Sequence, residues 1–174
     1  MIMPYKIYTL GHSTRPIEKF IDLLHTYHIQ KVIDIRSIPK SRHCPQFSQP
    51  KFQKSLLKAK IGYRHLKDLG GLRHPLKDSL NTSWTNASFR GFADYMQTPC
   101  FQQGLKTLEK LAKKKRCALI CAEALPWRCH RSLVADALTV KHWKVFHIQS
   151  QKTAKLHTLT SFLSVKDKQL IYDK

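Results

Sequence analysis

Acidic residues are scarce in this chain. Eleven Asp and Glu stand against 31 Lys and Arg over 174 residues, giving a formal net charge of +20. Glutamate is rarer still, at Glu18, Glu109 and Glu123 only. Such an imbalance favours a polyanionic partner: nucleic acid, a nucleotide or an anionic membrane surface. Long apolar runs are also missing. No stretch approaches the roughly 20 residues of a membrane span, so no membrane partner is expected. Met1 to Lys6 carries no apolar core of a secretory leader. Five cysteines are an odd count in a chain long enough to bury a core of its own. Reduced thiols in a cytoplasmic protein are therefore expected, not a disulfide framework.

Three chemical signatures are absent as well. A phosphatase-type loop needs Arg six residues after its Cys, but Trp127 stands there after Cys121 and Arg128 comes one place late. Cys121-Ala-Glu123 echoes the first half of a zinc deaminase, but Cys129 lacks the second Cys that the motif requires. No Cys-x-x-Cys knuckle exists, so spacing assigns no metal ligands and leaves any cofactor unknown. His12, Cys121, Glu123, Cys129 and His130 could form a metal site only through folding.

What is present reads as alternating strands and helices. Tyr5 to Leu10, Lys31 to Ile35, Cys117 to Ala122 and Lys144 to Ile148 have the short apolar, β-branched character of strands, with a weaker one at Ile61 to Leu66. Thr14 is placed to cap a helix carrying Ile17, Phe20, Ile21 and Leu24, with Pro16 in its first turn. Pro50 opens a helix carrying Phe52, Leu56 and Leu57. Phe89 to Met96, Leu105 to Ala112, and Cys129 to His142 supply three more, and the residues from Leu69 to Ser88 read as an extended loop. Alternation of this kind predicts a single α/β domain over 1–150, a mainly parallel sheet with helices on both faces in a Rossmann-like three-layer arrangement. Residues 151–174 read as a basic C-terminal tail in which Leu156, Leu159, Phe162 and Leu163 mark a short docking helix.

Parallel sheets bind ligands at the carboxyl ends of their strands. The unusual polar residues fall there. His12 and Ser13 follow the first strand, and Asp34 and Arg36 end the second. Cys121 and Glu123 end the strand from Cys117, and Cys129, His130 and Arg131 open the next helix. Asp34, Glu123 and His130 are candidate acids or bases, and Cys121 and Cys129 candidate nucleophiles. His12, Ser13, Arg36 and Arg131 are candidate anion contacts, since guanidinium forks match oxyanions. The duller readings are an Asp34–Arg36 pair, buried inert thiols, and a His130 that merely walls the site. Between Ile35 and Lys67 lie nine basic residues and no acid, interleaved with Phe47, Phe52 and Tyr63. That mixture suits single-stranded nucleic acid, and equally a solvated helix face over a packed core.

Four segments together, Tyr8-Thr-Leu-Gly-His-Ser-Thr14, Asp34-Ile-Arg-Ser-Ile-Pro-Lys-Ser41, Tyr63-Arg-His-Leu-Lys-Asp-Leu-Gly-Gly71 and Cys121-Ala-Glu-Ala-Leu-Pro-Trp-Arg-Cys-His-Arg131, resemble the bacterial and archaeal domain of unknown function 488 family. The resemblance implies a compact α/β domain and marks the same polar positions. It implies no reaction. The expected function is an enzyme, or enzyme-like domain, acting on a phosphate-bearing ligand. The alternatives are a non-catalytic nucleic-acid-binding module and a thiol or metal sensor.

Overall fold

The computed structural model describes residues 2–174. Five strands, β1 (Lys6–Gly11), β2 (Lys31–Asp34), β3 (Gly62–His65), β4 (Cys117–Cys121) and β5 (Lys144–Ile148), run parallel. A short β6 (Ala154–Leu156) adds antiparallel to β5, giving the order β3-β2-β4-β1-β5-β6. β1, β2 and β4 are buried almost throughout and read as near-continuous apolar runs, as expected where helices cover both faces. The expected Rossmann-like three-layer α/β domain is what forms.

Helices α1 (Ile17–Thr26) and α2 (Gln49–Lys58) cover one face through Phe20, Leu24, Phe52 and Leu56, packed on Tyr8, Leu10, Val32 and Ile120. Helices α3 (Ala87–Tyr95), α4 (Pro99–Lys114) and α5 (Arg131–Val140) cover the other, on Ile7, Ile33, Leu119 and Val145. Thr14 does not cap α1. Pro16 directly precedes its first residue, with no side-chain hydrogen bond. Asn86 instead caps α3, accepting from Ser88 and Phe89, and Thr98 caps α4 ahead of Pro99.

The helix after β1 lies on one face and the helix after the neighbouring β4 on the other. The carboxyl ends of β1 and β4 therefore flank a topological switch point, where open α/β sheets form their binding crevice.

The tail departs from the expected docking helix. It forms β6 and then a hairpin, β7 (Leu163–Lys166) and β8 (Gln169–Tyr172). Asp167 and Lys168 turn it at positive φ of 50° and 66°, and the alternation Leu163-Ser-Val-Lys and Gln169-Leu-Ile-Tyr172 sends Leu163 and Tyr172 into the core. The tail is fastened by a buried relay. The Asp136 carboxylate accepts from Tyr172 Oη at 2.8 Å, Thr160 Oγ1 at 2.7 Å and His157 Nε2 at 2.7 Å. His157 Nδ1 then accepts from His147 Nε2 at 2.8 Å, and His147 Nδ1 accepts from Thr9 Oγ1 at 2.6 Å. A neutral His147 satisfies this chain, donating from Nε2 and accepting at Nδ1.

Burial, helped by the charges of His157 and Arg131, pushes His147 down to about 3. In the unfolded chain this imidazole titrates near 6.5. The stability gained by keeping it neutral is therefore complete above pH 6.5 and declines as pH falls from there toward 3. One extra proton taken up on unfolding gives a slope of about 1.4 kcal/mol per pH unit. Urea unfolding between pH 7 and pH 4 should show this loss, and His147→Asn should flatten it. An equal slope in the variant would exclude His147 as its source.

Candidate functional site

The crevice is shaped first by close backbone approach. Beyond Gly11 the β1–β4 ladder continues, with His12 N–H donating to the Cys121 carbonyl and Ser13 N–H to that of Ala122, both at 2.9 Å. A Cβ on Gly11 would lie 1.9 Å from the Glu123 carbonyl oxygen, so only glycine lets the strand end meet the loop 122–130. Arg131, at the start of α5, fixes that loop from the other side. Its Nη1 donates to the Glu123 carbonyl, its Nη2 to the Ala124 carbonyl at 2.9 Å, and its Nε to Thr9 Oγ1 at 3.3 Å. The side chain is 1% exposed. Its donors are committed to protein acceptors, which makes Arg131 a structural clamp and not a free fork for an anion.

The polar residues expected at one site divide into two groups. Asp34 pairs in register with Ile120, so it shares the face of α1 and α2, whereas the next residue, Cys121, faces α3 to α5. On the Asp34 side, Arg36 donates its Nε and Nη2 to the two carboxylate oxygens at 2.9 and 2.7 Å. Tyr63 Oη donates to the same carboxylate at 2.6 Å. Arg36 and Asp34 are 5% and 0% exposed. Burial would lower the Arg36 pKa, but the Asp34 hydrogen bonds outweigh it and hold the guanidinium charged. Burial and the Asp34 charge push the Tyr63 phenol up. His12 donates Nδ1–H to the Ser13 carbonyl at 2.8 Å, turns Nε2 toward Arg36 Nη1 at 3.4 Å, and stacks on Phe47 with ring centres 4.3 Å apart. Burial lowers its pKa, in keeping with that neutral tautomer. Phe47 and Phe52, expected as possible stacking platforms, are fully buried edge-to-face partners of Phe20. They belong to the core, while eight of the nine basic residues around them are exposed and the ninth is Arg36.

On the other side Cys121, Cys129 and His130 converge. Their ligating atoms all lie within 4.8 Å of one another. His130 donates Nε2–H to the Ile35 carbonyl at 3.0 Å, which leaves Nδ1 as the lone-pair nitrogen. Nδ1 stands 3.7 Å from Cys129 Sγ and 4.0 Å from Cys121 Sγ. The Cys129 thiol hydrogen-bonds Cys121 and lowers it well below the usual thiol range, while the same contact raises Cys129. Gly71 comes so close to this imidazole that a Cβ there would sit 3.1 Å from Nδ1. Its neighbour Gly70 admits Ser37, whose Oγ donates to the Gly71 carbonyl at 2.6 Å. The Gly-Gly pair thus roofs the cluster. Cys121 and Cys129 are only 9% and 4% exposed. Glu123 lies outside the cluster, half-buried, with Oε1 accepting from Leu125 N–H at 3.1 Å.

All five cysteines are free thiols, and no helix among the described residues is long and apolar enough to cross a membrane. Sequence reasoning missed the His147–His157–Asp136 relay, because its members are 10 and 21 residues apart in sequence and on unrelated elements.

These features define an α/β domain with a parallel sheet, whose switch point carries a buried thiol–imidazole cluster. The profile of the domain of unknown function DUF488 matches residues 16–138, and the chain belongs to that family. No curated protein and no solved structure matches it.

Removing the clamp should loosen the loop. Arg131→Ala leaves two carbonyls and a buried hydroxyl without their donor, at a cost of about 3 kcal/mol. Gly11→Ala should be of similar severity, because the colliding group is backbone. Urea midpoints of both variants, set against that of Arg15→Ala, measure the difference. Midpoints equal to wild type would remove the clamp from the account.

Proposed function

We propose that this chain is an enzyme-like domain in which Cys121, Cys129 and His130 hold a soft divalent cation, zinc in the first instance, and which acts on a phosphate-bearing ligand. The observation that carries the reading is the convergence of two sulfurs on one imidazole nitrogen. Two features favour a cation over a lone nucleophilic thiol. The far nitrogen of His130 is oriented by a backbone carbonyl, the arrangement that fixes the tautomer of metal-ligating histidines. Both sulfurs are nearly closed off from solvent, which suits an ion better than an organic electrophile. Sulfur and imidazole together select zinc over calcium or magnesium. Three protein ligands leave the fourth tetrahedral position for water or substrate, the pattern of catalytic zinc. Glu123, two residues beyond Cys121, is the candidate acid–base partner.

The phosphate-bearing ligand is favoured by the net charge of +20 and by the exposed basic residues between Lys40 and Lys67. Asp34 and Arg36 neutralise one another and serve here as structure beside the centre, with His12 against them.

Cobalt(II) tests the centre. One equivalent should give the near-ultraviolet thiolate charge-transfer band and the visible bands of a tetrahedral site. Zinc at about 100 times its Kd should stabilise the protein by about 2.7 kcal/mol. Cys121→Ser, Cys129→Ser and His130→Ala should each abolish both effects, and Cys100→Ser should keep them. A wild-type protein that shows neither excludes the metal. For the ligand, binding of a single-stranded oligonucleotide should weaken with salt at a slope of about −0.7 per phosphate contacted. Lys51→Glu with Lys54→Glu and Lys58→Glu should flatten that slope, and a salt-indifferent affinity would remove the electrostatic part of the reading.

A further inference from the structure

The crevice side of the sheet carries a second feature, away from the thiol cluster and toward β5. A cleft of about 410 Å³ opens there, walled by Trp84, Trp127, Lys155 and Gln149 and floored by His147 and His157. Trp127 is 61% exposed, an unusual position for the largest apolar side chain in a soluble domain. The Trp84 indole N–H is buried and has no acceptor among the described residues. His147 and His157 cannot serve a ligand as free donors, since the relay takes up all four ring nitrogens. What the cleft offers is therefore an aromatic surface and a cation.

Gln149 also borders an adjoining open groove of about 510 Å³, lined by Arg15, Lys19 and Lys152. Arg15 is held in place by its Nε, 3.4 Å from the Gly11 carbonyl. Arg15 follows β1 and Gln149 follows β5, so both hollows lie at the carboxyl edge, where α/β sheets take ligands. An aromatic-walled cleft that shares Gln149 with a three-cation groove matches a planar base joined to a phosphate. Stacking on an exposed ring is how single-stranded nucleic acid is held without sequence preference, with cations following the backbone.

We infer that the paired hollows about Gln149 form a nucleotide-binding site, with the base against Trp127 and the phosphate between Arg15, Lys19 and Lys152. The inference rests on the phosphate-bearing ligand proposed above and says where on the fold that ligand sits. It is independent of whether the thiol cluster holds a metal. The same chemistry is presented by a free mononucleotide and by one unit of a single strand.

Anisotropy of a fluorescein-labelled oligodeoxythymidine, with thymidine 5′-monophosphate as competitor, tests it on the full chain. Trp127→Ala should weaken the oligonucleotide about tenfold, within the range that base–aromatic stacking contributes, and leave the salt slope unchanged. Lys19→Glu with Lys152→Glu should weaken it and flatten the slope. All three positions are exposed, so the variants should keep the wild-type circular dichroism and melting temperature. Competition by the mononucleotide would assign the site to a free nucleotide, and strand binding without competition would assign it to nucleic acid. Wild-type affinity in both variants would overturn the site while leaving the phosphate reading standing. Absence of any binding by the wild-type protein, to strand or mononucleotide, would overturn both.

Discussion

The Arg131 guanidinium is the contact on which the carboxyl edge of this sheet depends. It is buried without a carboxylate partner and is held by the Glu123 and Ala124 carbonyls and the Thr9 hydroxyl. Burying a cation on backbone acceptors is costly unless every donor is placed, and here the acceptors come from β1 and from the loop after β4. The side chain therefore sets the position of one element relative to another. Through Thr9 it also adjoins His147 and the relay that fastens the C-terminal strands. Its backbone N–H lies 3.5 Å from Cys129 Sγ, on the opposite side. A single residue so placed links the thiol cluster, the loop and the histidine relay.

That placement also explains why two arginines of similar appearance in the sequence end in different roles. Arg36 is two residues from an aspartate on the same strand end and closes on it bidentately. The pair is internally neutral and sits under α1 and α2, where a lone charge would be expensive. Arg131 has no acid within reach and turns to carbonyls instead. Neither presents a free fork. Cations open to an anion lie elsewhere, among them Lys19 and Lys152 at the edge and Lys51, Lys54 and Lys58 of α2.

Much of this was legible in the sequence. Each parallel strand but the polar β3 is an apolar run ending in a glycine, a turn or a polar residue, and the alternation with helical spacing leaves few other arrangements. Placing strand ends on one edge brought Cys121, Cys129 and His130 to the same region, but did not show that these three would cluster apart from His12 and Glu123. Nor did it show the separation of Asp34 from Cys121, because that depends on register. Asp34 opposes Ile120, and a shift of one residue would have put it on the other face. The C-terminal hairpin was hidden for a different reason. Leu156, Leu159, Phe162 and Leu163 mimic helical spacing, and its turn is made by Asp167 and Lys168 at positive φ where a glycine would have announced it. Phe47 and Phe52 show the limit of composition, since aromatic residues among lysines serve the core and the surface alike.

The loop 122–130 joins the two proposed sites. Cys121 precedes it and Cys129 lies near its end, so a cation bound by both would tie its two ends together. Pro126 and Trp127, at its middle, form a wall of the aromatic cleft. The loop has little freedom to yield, since Gly11 abuts one of its carbonyls and Arg131 holds two. A base stacked on Trp127 would lie on a segment whose ends carry the sulfur ligands. The cleft lies by β5 and the buried thiol cluster by β4, so the two proposed ligands do not compete for one position. Cys121 and Cys129 bound the ends of that loop and Trp127 stands at its middle, so one clamped segment would serve both proposed ligands.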